Sequence, residues 1–494
     1  MEAFWQRELA EAAVLRARLT VLAGFNVNLD WVVHLGPGTW EALVRSCPEA
    51  TPQGIAAAAE QPPQEVRRPR ELLAWLWNRL AQGRSLHLTV EAEEVLDWLD
   101  EELDPHHVRV GGQAGIIANQ MARLRQESRL VTPLLSPLQA RYLDPGVLAP
   151  TLEGGRLRWV PVEEAAQPVP TKVNWILEYD REQRYRLGDR EVRVPRSNRV
   201  IVASRPRGLV MAFPAALEPS MADVASGLDL ALLAGYHYAA PTLPDGRTFD
   251  AYLSDSLRHL KALKAANPHV LIHLEYVPMK HQALERELLA ALGPVVDSLG
   301  INEVELRGVL ERAGEAALAQ ELREHERPYA LYRGARALVE RFGYQRVQVH
   351  NLGYYCLVRR LSPGAGLDEG LLRRQIEAMR RGGLFGSAVT EHRARQGTEA
   401  TLADVAREAA TPLSDLGLSA VASFEAEIRA REAVAPIGPG GFRSGDMLVQ
   451  VVPAHVHDQP VVTVGMGDTI SSASLLAERA FLGKASRSPG AFRS

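Results

Sequence analysis

Apolar residues along this chain gather in short unbroken runs, separated by longer stretches in which they recur every three or four positions. The runs LTVLAGF (19 to 25), LDLALLAGY (228 to 236), HVLIHLE (269 to 275), VVDSLG (295 to 300), RVQVHNL (346 to 352) and MLVQVV (447 to 452) do not alternate with polar residues. A strand covered on both faces has no polar side to alternate with, so these runs predict buried strands of a largely parallel sheet. The stretches between them predict helices; in 113 to 125, Ile117, Met121 and Leu124 fall at i, i+4 and i+7 on one stripe. Strand and helix alternate over most of the length, which predicts a doubly wound α/β domain.

Two stretches break the rhythm. Residues 31–104 carry polar, Pro-bearing connections with helical pieces, and 152–208 carry WVPV, KVNWILEY, YRLG and RVIVAS, which read as antiparallel strands with turns between. Together they predict a small second domain made of two insertions, leaving 1–30, 105–151 and 209–494 to the large one. The amino-terminal MEAFWQRELAEAAVLRARL spreads charges along its length and predicts an amphipathic helix, not a signal peptide. No window offers 18 uninterrupted apolar residues, so no membrane span and a cytoplasmic location are expected.

Composition adds bounds. The 494 residues, 46% hydrophobic, supply one large core and a smaller one. Lys and Arg total 56 against 60 Asp and Glu, a formal charge of -4, which gives no footing to a nucleic-acid partner. The 2 cysteines, Cys47 and Cys356, are too few for a disulfide framework or a metal knuckle.

The chemistry concentrates in five segments. In TVGMGDTISSASLLAERAFL a β-rich run, VVTV, meets two glycines and then a helix whose stripe includes Ile470, Ala473, Ala477 and Phe481. Gly465 and Gly467 allow close backbone approach, and a helix start aims free N–H groups and a positive dipole end outward, which suits an anion. Asp468 there is either a helix N-cap or the carboxylate that orients a hydroxyl and accepts its proton in phosphoryl transfer. In VRVGGQAGIIANQMARL, Gly111 and Gly112 precede a helix starting near Gln113; the turn either touches a polyol or packs on a sheet. In GFNVNLD, Asn26, Asn28 and Asp30 share one side of an extended chain at the carboxyl end of a strand, the usual ligand side of an open α/β sheet, or else form an Asx-rich turn. HLE and NEVE each follow an apolar run, so Glu275 and Glu305 could meet phosphate oxygens at Mg²⁺, or be helix caps and solvated charges.

In this order and spacing, GGQAGI, the HxE of His273 to Glu275, the NxxE of Asn302 to Glu305 and TVGMGDTIS resemble the ADP-dependent glucokinase and phosphofructokinase family of the ribokinase-like superfamily, over about Leu22 to Ala477. The resemblance implies a ribokinase-like doubly wound α/β/α core with a small β-containing lid domain. It implies an enzyme that moves the β-phosphoryl group of ADP to a sugar hydroxyl with Mg²⁺ and releases AMP. Asp468 would be the catalytic base. Asp30 and the Gly112–Gln113 pair, with Asn28 beside them, would hold sugar hydroxyls, and Glu275 and Glu305 would serve Mg²⁺ directly or through water. Asn302, Gly465 and Gly467 would face the nucleotide phosphates, His350 would border the adenine, and Arg199 would reach down from the lid to the transferring charge.

The chain departs from the glucokinase pattern at two hydroxyl-facing positions. His87 stands in GRSLHLTV where those enzymes tend to have Glu, and Asn174 in KVNWILEY where they tend to have His. Losing a carboxylate removes repulsion against a phosphorylated sugar, and Lys172, Arg193, Arg196 and Arg199 would give the lid a cationic face, so the expected acceptor is fructose 6-phosphate. An ADP-dependent glucokinase, an ATP-using ribokinase-like sugar kinase and a sugar-binding pseudokinase stand as alternatives. Oligomeric state has no signal here.

Overall fold

The computed structural model describes residues 2–47, 49–361 and 368–483. A twelve-stranded sheet runs in the order Ala435–Gly438, Gly441–Ser444, Met447–Pro453, Tyr354–Arg360, Arg346–Asn351, Ser298–Asn302, Leu271–Glu275, Leu230–Ala234, Thr20–Phe25, Glu127–Val131, Val147–Glu153, Arg156–Pro161. From Arg346–Asn351 to Val147–Glu153 neighbours are parallel; the outer pairs on both sides are antiparallel. All six apolar runs are strands here, and the central ones are buried along almost their whole length, as in LALLA of Leu230–Ala234.

Chain order runs outward from Thr20–Phe25 to Tyr354–Arg360 on one side and to Arg156–Pro161 on the other, so its carboxyl end is a switch point where a crevice opens. Helices Gln113–Arg123, Glu369–Gln396 and Met466–Leu482 pack together against one face. Phe249–Ala266, Gln282–Leu292 and Pro328–Phe342 pack on one another as a second helical layer, which makes the core the expected doubly wound α/β/α sandwich.

A second sheet has the order Leu86–Val90, Asn198–Ser204, Val173–Tyr179, Asn28–His34, His107–Gly111. Helices Pro37–Ser46, Pro52–Glu60, Pro69–Gln82 and Glu93–Glu102 accompany it, and a separate apolar core forms from residues such as Leu72, Leu76, Trp175, Val200 and Val202. Trp40 stacks on Trp77 inside it, ring centres 5.6 Å apart.

Sheet membership differs from the sequence expectation at several points. The first three residues of WVPV end the strand Arg156–Pro161, which completes the edge of the large sheet, because Gly154 and Gly155 (φ 56 and 79) make the two-residue turn of a hairpin with Val147–Glu153. Residues 28–30 and 107–111 belong to the small sheet, where Asn28 faces Gly111 in register. That sheet is mixed: Asn28–His34 runs parallel to Val173–Tyr179, and Leu86–Val90 parallel to Asn198–Ser204. YRLG forms a separate two-stranded ribbon, Arg184–Leu187 with Arg190–Arg193. VVTV is loop, since the strand before it ends at Pro453 and the Val461 amide donates to the Ala394 carbonyl, tying the segment to a helix end.

Register and burial fix which face of the small sheet is open. Val200, Val202, Val173, Trp175 and Leu177 point into its core, so the alternate positions point away. Ala203, Asn174, Asp30 and Arg109 then form one cross-strand row on the open face, with His87 and Ile201 in the next row and Arg199 beyond it.

Candidate active site

The helix Met466–Leu482 starts at Gly465, whose φ of 75 lies in the left-handed region and whose end carries no side-chain cap. Asp468 is the third residue of that helix, so it is not the N-cap. The backbone N–H groups of this first turn receive no side-chain cap from Gly465, and a helix start aims them outward along its axis. A Cβ at Gly465 would collide with Ile116 of the Gln113–Arg123 helix and stand 3.3 Å from Arg393 Nη2. The two helix starts are therefore packed together, with a buried guanidinium beside them.

Three carboxylates gather at this end. Asp468 keeps partial solvent exposure, yet burial pushes its carboxyl up to about 7, with the Arg393 charge pulling the other way. Glu305 is also pushed up to about 7, first by burial, with the charge of Asp468 adding to it. Glu275 is driven well above the carboxylate range by burial, then by Asp468. His350 completes the group, since a Cβ at Gly467 would stand 2.8 Å from its Nε2 and 3.4 Å from Glu275 Oε1. The capping role of Asn302 and Glu305 is realised too: the Glu305 amide donates to Asn302 Oδ1 at 2.8 Å and the Asn302 amide to Glu305 Oε2 at 3.0 Å.

Mutual repulsion within an all-oxygen donor set is what a hard cation relieves, so Glu275, Glu305 and Asp468 fit Mg²⁺ chemically. Among the described residues no three such groups converge closely enough to enclose an ion. The fit is to a cation that completes its shell with water and phosphate oxygens.

A cavity of about 410 Å³ opens beside this end, lined by Asn302, His350, Gly467, Ser387, Glu391 and His455 among others. His350 Nδ1 and His455 Nε2 are buried without a hydrogen-bond partner among the described residues, although both residues line it. Val304 and Leu352, 54% and 67% exposed, form apolar parts of its wall. Unpaired ring nitrogens between apolar walls suit a heterocyclic base.

At the other end, Asp30 is buried and accepts hydrogen bonds at Oδ1 from Asn28 Nδ2 (2.8 Å) and Asn174 Nδ2 (3.2 Å). Burial raises its carboxyl, with Arg109, 3.7 Å away, the largest opposing influence. Gly111 and Gly112 are required by proximity: a Cβ on Gly111 would stand 2.5 Å from Asp30 Oδ1, and one on Gly112 (φ 74) 2.5 Å from the Asn26 carbonyl. Asn26 Nδ2 donates to Gln113 Oε1 at 2.7 Å. Lys172 is fully buried, its Nζ reaching Asn28 Oδ1 and Asn174 Oδ1 at 3.5 and 3.4 Å and lying 5.3 Å from the Tyr238 ring centre. His87 stands over this face with part of its residue in solvent, yet burial of the ring, then the Lys172 charge, hold its imidazole low.

The structure thus brings Asn28, Asp30, Gly112, Gln113, Lys172, Asn174 and His87 to one end, and Asn302, Glu305, Glu275, His350, Gly465, Gly467 and Asp468 to the other. Arg199 stands apart. It lies on the open face opposite Glu178 and is absent from the cavity lining. Nor do the lid cations form one face, because Arg193 sits on the separate ribbon, paired with Glu182. Three contributors had no sequence signal of their own: Arg393, inside the 28-residue helix Glu369–Gln396, and Arg205 and His237. The His237 imidazole is lowered to about 3, first by burial and then by Lys172, His87 and Arg205. Arg205 Nη2 donates to the Tyr238 carbonyl at 3.0 Å.

Known proteins share this architecture. The chain is 30% identical over 487 residues to an ADP-specific phosphofructokinase of Methanosarcina acetivorans, covering 96% of each. A solved last common ancestor of ADP-dependent phosphofructokinases from Methanosarcinales matches with a TM-score of 0.86 at 27% identity, over 97% of this chain and 99% of that one. An ADP-dependent kinase solved with fructose 6-phosphate and ADPβS matches at 0.78 and 27%, with the same coverage. These likenesses bear out the ribokinase-like α/β fold. The family model described as the ADP-specific phosphofructokinase/glucokinase conserved region matches residues 19–477, and the chain belongs to that family.

Proposed function

We propose that this protein is an ADP-dependent phosphofructokinase: it transfers the β-phosphoryl group of ADP to a hydroxyl of fructose 6-phosphate and releases AMP. The observation that carries the reading is the start of the Met466–Leu482 helix, where uncapped N–H groups, the Arg393 guanidinium and the Asp468 carboxyl stand together. Arg393 and the N–H groups stabilise the charge of the moving phosphoryl group, and Asp468 orients the sugar hydroxyl and accepts its proton as the new P–O bond forms. A carboxyl near pH 7 is a better proton acceptor than an ordinary aspartate. Glu275 and Glu305 would hold Mg²⁺, through water where they do not reach it, and the ion would neutralise phosphate charge.

ADP occupies the cavity in this reading. Its base lies near His350 and His455, and Asn302 and Gly467 face the phosphates. Asn28, Asp30, Gly112, Gln113, Asn174 and His87 surround the sugar. The sugar phosphate goes to Lys172 and Arg205, a buried ammonium with no carboxylate hydrogen-bonded to it among the described residues, beside a guanidinium. The small sheet with its helices, from 31–104 and 152–208 apart from the strand changes described above, acts as the lid, and Arg199 arrives only on closure.

The test is turnover of the purified protein with Mg²⁺, ADP or ATP as donor, and glucose or fructose 6-phosphate as acceptor. AMP formation dependent on ADP and fructose 6-phosphate is expected. Preference for ATP or for glucose would reverse donor or acceptor, and inactivity with ADP across a sugar panel would overturn the proposal.

A further inference from the structure

Behind Glu275 runs a line of buried side chains that the transfer step does not use. Glu478, ten residues after Asp468 on the same helix, holds Arg346 and Arg359; Arg346 Nε donates to Glu478 Oε2 at 3.0 Å. Arg346 Nη1 donates to Ser298 Oγ at 3.0 Å, and Nη2 to Gln348 Oε1 at 2.7 Å. Ser298 Oγ lies 2.9 Å from His273 Nδ1, and His273 Nε2 lies 3.2 Å from Glu275 Oε2. None of Arg346, Ser298, His273, Glu275 and Glu478 is more than 5% exposed.

Donor and acceptor roles along this line follow from its two ends. A guanidinium only donates, so Ser298 Oγ accepts from Arg346 and its single hydrogen is free for His273 Nδ1. When Glu275 is ionised, as a carboxylate serving a cation is, it only accepts, so the neutral His273 ring carries its proton on Nε2 and its Nδ1 accepts from Ser298. Oε2 is thereby pinned on the Gly300 side, where any Cβ would overlap it, and Oε1 is turned toward Gly467. The same guanidinium fixes the helix through Glu478. One residue therefore sets both the Asp468 helix and the Glu275 carboxylate.

We propose that Arg346 and Ser298 are positioning residues for the reaction: by fixing the His273 tautomer they determine which oxygen of Glu275 is presented to the cation that accompanies ADP. This rests on the phosphofructokinase reading above. The role is indirect, since neither side chain reaches the cavity.

Ser298→Ala removes one hydroxyl from a fully buried site and leaves the Arg346–Glu478 pair in place; Ser298→Thr keeps a hydroxyl. Mn²⁺ binding to the full chain in the presence of ADP, followed by electron paramagnetic resonance without acceptor sugar, reads the effect apart from turnover. Groups hydrogen-bonded behind a metal ligand shift affinity by about 10- to 100-fold. We expect Ser298→Ala to weaken Mn²⁺ at least about tenfold, to lower kcat while leaving the KM for fructose 6-phosphate unchanged, and Ser298→Thr to restore most of both. Wild-type affinity in Ser298→Ala would overturn the positioning role alone, as would loss in both variants accompanied by a fall in melting temperature. Failure of the wild-type chain to bind Mn²⁺ with ADP would overturn the underlying functional reading.

Discussion

At the scale of single residues, the site turns on Asp468, a carboxyl that protein packing has moved from 3.8 to about 7. If it accepts the sugar proton, Asp468→Asn should cut kcat by at least about a hundredfold while changing both KM values little; retained turnover would remove its assignment as base. The shift also has a sign in stability. A carboxyl with a raised folded value binds its proton more tightly when folded, so its contribution is full below its unfolded value and is lost as pH rises through its folded value. Asp468 and Glu305, with ordinary values of 3.8 and 4.5, both reach about 7, which places the loss between about pH 4 and 7. The ligand-free melting temperature should therefore carry a falling component over that window, and Asp468→Asn, which cannot ionise, should flatten it. Identical pH profiles for the two proteins in cation-free buffer would refute the shift.

At the scale of elements, what the sequence made legible and what it hid divide along burial. Strands covered on both faces announce themselves by unbroken apolar runs, and all six runs are strands of the large sheet. Edge and hairpin strands do not, because Arg156–Pro161 has one solvated side and looks the same whichever sheet it joins. VVTV has strand composition but no neighbouring strand to pair with, and composition does not reveal the partner. Asp30 and Gln113 were legible as polar groups beside glycines at strand and helix ends, whereas Arg393 was hidden, its only mark being a charge in a long helix. Glycines test the same point energetically. Gly300 sits between Glu275 and His273: a Cβ would overlap Glu275 Oε2 and stand 2.7 Å from Ser471 Oγ and 2.9 Å from His273 Nε2. Gly300→Ala should lose at least about tenfold in kcat and be destabilised by about 1–3 kcal/mol, the usual cost of overpacking. Gly208, with nothing within 4 Å of its Cβ position, shares none of this crowding; but its φ of 84 would strain an alanine, so the matched control is Gly38→Ala, also uncrowded and without positive φ.

At the scale of the molecule, the chain passes between the two sheets at Asn26–Val27, at Gly112, at Lys172 and at Arg205, and each crossing lies at the Asp30 end of the site, where the sugar is proposed to bind. Hydrogen bonds tie these crossings together: the Leu29 amide donates to the Lys172 carbonyl at 2.9 Å, and the Ala114 amide to the Asn26 carbonyl at 3.0 Å. A ligand bound at Lys172 and Asp30 therefore acts on the joint itself, while a nucleotide in the cavity touches the large sheet's side. Closure is also demanded by the chemistry, since an open site would let water compete with the sugar for the phosphoryl group. Fructose 6-phosphate and a slowly transferred ADP analogue should together reduce the radius of gyration in small-angle scattering more than either alone. Lys172→Met should raise the KM for fructose 6-phosphate at least about tenfold and abolish the sugar's share of the contraction while sparing the nucleotide's. Contraction by nucleotide alone to the same extent as by both would place the trigger at the cavity and not at the joint.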